Sequence, residues 1–69
     1  MTVDITTRFG KKIKEVRIAK KMSQGKLAKK LGVDSSYISK IERGIQNISL
    51  KGIEKIAKAL SVSVGELLK

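Results

Sequence analysis

A chain of 69 residues with neither histidine nor cysteine lacks the usual general base at neutral pH and the usual metal ligands, and it has no disulfide. This argues against an enzyme and against a cofactor. Sixteen Lys and Arg against six Asp and Glu leave a formal net charge of +10, a field suited to a polyanion: nucleic acid, an acidic protein or an anionic membrane. Hydrophobic residues at 41% are too many for a disordered basic tail, no apolar run approaches the roughly 20 residues a bilayer requires, and the first ten residues hold no secretory core, so one cytoplasmic domain over 1–69 is expected.

Serine, aspartate and glycine punctuate a chain without proline and divide it into five short helices. The first is predicted over about 7–21. Phe9, Ile13 and Val16 recur at i, i+4 and i+7 on one face, and Lys20 and Lys21 suit the negative C-terminal end. Ile18 falls off that stripe. Ser23 caps the second helix, Gln24 to Leu31, on which Leu27 and Leu31 share a face. Gly32 follows, where a left-handed residue commonly ends a helix. Asp34 is the cap of a third helix, Ser35 to Arg43, with Ile38 and Ile41 inward and Gly44 closing it. After a loop over 45–48, Ser49 caps a fourth, Leu50 to Leu60. It buries Ile53, Ile56, Ala57 and Leu60 and turns Lys51, Lys55 and Lys58 the other way. Ser63-Val64-Gly65-Glu66 has the spacing of a capping box and opens a short fifth helix carrying Leu67 and Leu68. Short connections between such helices predict a compact all-α domain.

The stretch 24–43 carries the most information. Two short helices joined by a tight turn cross steeply, which requires a small residue where they approach and a residue tolerant of positive φ at the turn. Ala28 and Gly32 meet those needs, and Leu27, Leu31, Val33, Ile38 and Ile41 are expected to lock both helices onto the core. The runs Ser23-Gln24-Gly25-Lys26-Leu27-Ala28, Leu31-Gly32-Val33 and Tyr37-Ile38-Ser39-Lys40-Ile41-Glu42-Arg43-Gly44 resemble the Cro/C1-type (XRE-like) helix-turn-helix family, which includes phage repressors, antitoxins and many bacterial regulators. The resemblance covers about 9–68. Tyr37 to Gly44 followed by Asn47-Ile48-Ser49-Leu50 is most similar to the short controller proteins of restriction–modification systems.

The resemblance implies a five-helix, lambda-repressor-like domain that binds double-stranded DNA as a transcriptional regulator, with the second helix of the unit in the major groove. The positions it sets against base edges are Ser35, Ser36, Ser39 and Lys40, with Tyr37 at the rim. Their spacing agrees, because the serines and Lys40 fall opposite Ile38 and Ile41. Gln24, Arg43, Gln46 and Asn47 are the implied phosphate contacts, Gln24 opening a helix whose dipole favours an anion. Arg17 and Glu42 match the positions of a partly buried ion pair joining the first and third helices. Val64, Leu67 and Leu68 match a C-terminal dimer interface, and a two-fold dimer reads a palindromic operator. Serine-rich recognition positions leave part of the specificity to DNA shape. The chain stops after the fifth helix, as a complete short regulator or the DNA-binding piece of a longer one. An antitoxin-like module that mainly masks an acidic protein partner is the alternative. A scarcity of aromatics (one Phe, one Tyr) weighs against single-strand stacking.

Overall fold

The computed structural model describes residues 4–69. These form five helices: α1 (Ile5–Ala19), α2 (Gln24–Leu31), α3 (Ser35–Glu42), α4 (Leu50–Leu60) and α5 (Val64–Leu68). Three begin at serine caps. The hydroxyls of Ser23, Ser49 and Ser63 accept from the amides of Lys26, Gly52 and Glu66 at 3.0, 3.0 and 3.1 Å, so each supplies a partner for an amide that has none inside its helix. Asp34 stands at the corresponding place before α3 but makes no side-chain cap bond.

The ends of α1 differ from the sequence expectation at both sides. The helix starts two residues early because the Asp4 carboxylate accepts from the Thr6 amide at 2.9 Å and from the Thr6 hydroxyl at 3.0 Å. It stops at Ala19 rather than Lys21, since Lys20 is the C-cap and Lys21 takes a left-handed φ of 56°. Similarly α3 ends at Glu42, Arg43 being its C-cap. Beyond it Gly44 has φ +76°, and an added Cβ would lie 2.9 Å from Thr7 Cα. Glycine therefore serves there both for the backbone turn and for the approach of α1.

Helix α3 packs on α1 and α2, α4 packs on α2 and α5, and α1 meets α5. The core is Phe9, Ile13, Leu27, Ala28, Ile38, Ile41, Ile56, Ala57, Leu60 and Leu67. Each large aliphatic side chain fully buried there stabilises the fold by about 1.5–3 kcal/mol. Val33 departs from expectation: it is 39% exposed and does not join that core, while Leu31 and Ile53 pack against it half-buried. Ile18 is 56% exposed. The tightest crossing is one that spacing along the chain did not reveal. Gly10 on α1 lies against the end of α3, and a Cβ there would overlap the Ile41 carbonyl oxygen and lie 3.1 Å from that of Glu42.

Candidate nucleic-acid interface

The turn between α2 and α3 is built by backbone geometry. Gly32 takes φ +71°, its amide donates to the Lys29 carbonyl, and the Val33 amide reaches back to the Ala28 carbonyl at 3.0 Å. This left-handed closure pairs the carbonyls at the end of α2. It turns the chain sharply enough that α3 begins three residues later across the end of α2.

That placement presents α3 with one face in and one face out. Ile38 and Ile41 are 0% and 1% exposed. Ser35, Ser36 and Lys40 are exposed and Ser39 is half-buried. Ser36, Ser39, Lys40 and Arg43 lie three or four residues apart, so they follow one outward stripe. Tyr37 is half-buried and turned toward α4, where it lines a groove with Leu31, Val33, Ser49 and Lys51. It flanks the stripe rather than standing on it. Arg43 and Asn47 are exposed beyond the end of α3. Gln46 is turned back, its amide donating to the Asn47 carbonyl at 3.1 Å, and it lines a cleft with Ile5, Phe9 and Leu68.

Beneath the stripe lies a polar seam. Arg17 is 8% exposed. Its Nε donates to Glu42 Oε2 at 2.6 Å, its Nη2 to Glu42 Oε1 at 3.1 Å and its Nη1 to the Met22 carbonyl at 2.8 Å. Gln24 Nε2 donates to the same Glu42 Oε1 at 3.0 Å. One carboxylate thus ties α1, α2 and α3, and among the described residues no buried side-chain polar atom is left without a partner. The guanidinium fork suits this work, since it satisfies a carboxylate and a carbonyl in one plane.

The helix-turn-helix family model matches residues 13–67, which spans the seam, the turn and the outward stripe. The chain belongs to the Cro/C1-type helix-turn-helix family. It is 49% identical over 69 residues to control protein C.BamHI of Bacillus amyloliquefaciens, covering 99% of this chain and 85% of that protein. Its structure is similar to the restriction–modification controller protein C.AhdI from Aeromonas hydrophila, with a TM-score of 0.86, 44% identity, and 90% of this chain and 94% of the other covered. It is also similar to the master regulator for biofilm formation SinR, solved in complex with DNA, with a TM-score of 0.81, 45% identity, and 88% and 98% covered.

Within this helix-turn-helix domain the three residues expected at a dimer interface are separated. Leu67 is 1% exposed and belongs to the chain's own core, which corrects its assignment to a partner-facing surface. It shares the core cluster with Phe9 and Leu60, since α5 packs against α1 and α4. Val64 is half-buried, and Leu68 is 47% exposed. Beside Leu68 the structure exposes Ile5 at 67%, on the stretch of α1 that the sequence reading left outside the helix.

Proposed function

We propose that this chain is a transcriptional regulator that binds double-stranded DNA, with α3 in the major groove. The observation that carries this is the exposure of Ser35, Ser36 and Lys40 on the face opposite buried Ile38 and Ile41. Lys40 donates to guanine O6 and N7, Ser35, Ser36 and Ser39 donate or accept at base edges, and Tyr37 brings its hydroxyl to the edge of the contact. Gln24, Arg43 and Asn47 hold phosphates on either side of the groove, and Gln46 joins them with the amide hydrogen that its bond to Asn47 leaves free. Exposed Lys26, Lys29, Lys30 and Lys51 add attraction without fixed contacts.

A two-fold dimer reading a palindromic site accompanies this proposal, with half-sites about 34 Å apart on one side of the duplex. Val64 and Leu68 stand four residues apart along α5 and supply its apolar contact, while Leu67 stays in the core. No helix among the described residues is long and apolar enough to cross a membrane, and the proposed work on DNA puts the protein in the cytoplasm.

Selection of duplexes from a random pool tests the proposal. It predicts an enriched two-fold symmetric motif, and binding that weakens about 10³-fold between about 50 and 200 mM salt if about six phosphates are neutralised. A pool with no enriched motif, or binding indifferent to salt, contradicts it.

A further inference from the structure

We infer that Glu42 is a positioning residue for DNA binding that acts through Gln24, an inference that rests on the phosphate contact proposed for Gln24. Glu42 lies at the inner end of α3 with its side chain only 3% exposed. Its carboxylate accepts hydrogen bonds and cannot donate. Gln24, 3.0 Å away, must therefore turn its amide nitrogen toward Glu42 and never its carbonyl oxygen. The amide nitrogen carries two hydrogens. One is taken by Glu42, and the other is available at the half-exposed start of α2.

The clamp is set from two sides. Arg17 grips both oxygens of Glu42, and the same guanidinium holds the Met22 carbonyl at 2.8 Å, two residues before Gln24. The carboxylate and the chain leading into α2 are thus fixed by one group anchored on α1. A glutamine held this way has lost its side-chain freedom before DNA arrives, so binding carries less ordering cost. Gln46 offers the contrast. Its amide bonds only to the neighbouring Asn47 carbonyl on the same exposed loop, which ties it to no other helix.

A double-mutant cycle with Gln24→Met, Glu42→Gln and both together tests this, with affinity read on an operator selected from a random pool. Each variant is also read on duplexes in which one symmetry-related pair of phosphates at a time, one in each half-site, is replaced by neutral methylphosphonates. Glu42→Gln is expected to weaken binding about five-fold in the parent chain and to add nothing once Gln24→Met is present. Its penalty should also vanish on the one pairwise-substituted duplex on which the Gln24→Met penalty vanishes. Equal losses from Glu42→Gln in both backgrounds overturn the inference, because Glu42 would then act through the fold alone. No loss from Gln24→Met on any duplex overturns the phosphate contact itself. If Glu42→Gln does not fold, nitrogen relaxation of the Gln24 side-chain amide in the unaltered protein decides: order comparable to the backbone supports the clamp, and averaging like a free side chain overturns it.

Discussion

On its outer side α3 holds Ser35, Ser36 and Lys40 in solvent, where their packing constrains nothing. On its inner side Glu42 is gripped by Arg17 and Gln24, and the backbone leaves room at Gly10 for hydrogen and no more. The two sides of one eight-residue helix therefore differ in what a substitution does. On the proposed reading, outer changes alter which duplex is preferred and leave the fold intact. Inner changes strain or unpair the contacts by which α1, α2 and α3 meet, and at Glu42 they release the Gln24 amide. A helix-turn-helix protein can in this way vary its reading surface without moving the frame that presents it.

The comparison breaks most visibly at Arg17. Arg17→Ala leaves the Glu42 carboxylate buried with only the Gln24 amide for company, at a cost of about 3–5 kcal/mol. Urea denaturation should show that loss, whereas Ser36→Ala on the outer side should stay within about 0.5 kcal/mol of the parent. Next comes Gly10→Ala, whose methyl group overlaps the Ile41 carbonyl oxygen. It should cost about 1–3 kcal/mol and lower the melting temperature by roughly 4–8 °C for each kcal/mol, although alanine is elsewhere the better helix former.

Those two positions also mark the limits of what was legible in the sequence. The bounds of α2 and α4 were readable because Ser23 and Ser49 announce their starts, and because Gly32 announces the end of α2. The end of α4 was read from its last apolar position, Leu60, rather than from a glycine, since Ser61 takes the left-handed φ of 58° there. The early start of α1 depends on Asp4 and Thr6, which lie upstream of the first periodic residue. Gly10 was invisible, for the clash that forbids a larger residue is with a carbonyl 31 residues further on. The outward stripe of α3 was legible from spacing. The hydrogen bond that Gln24 donates to Glu42, the inward turn of Leu67 and the exposure of Val33 depend on helix crossing, which periodicity along one helix does not encode.

Smaller effects sharpen the contrast. Lys40→Ala should leave the melting temperature unchanged while removing about 1–3 kcal/mol of discrimination at one base pair in each half-site, read by competition between operator variants. The smallest effect belongs to Asp4. Its backbone and side-chain hydrogen bonds from Thr6 hold its carboxyl below the ordinary value, against a slight opposing effect of burial. A depressed carboxyl stabilises the fold fully above its unfolded pKa and loses that stabilisation as pH falls through the folded one. Thermal melts from about pH 6 to about pH 3 should therefore show the parent chain losing its small advantage over Asp4→Ala as the acid end is approached.

The most direct measurement is methylation protection of guanine N7, an atom that lies in the major groove, on the selected operator with the parent chain and with Lys40→Ala. If α3 occupies that groove, the parent protects guanines symmetrically in both half-sites, and Lys40→Ala uncovers one of them in each while the others stay shielded. Guanines that remain fully reactive under a bound parent chain, or a pattern that Lys40→Ala leaves untouched, would contradict it.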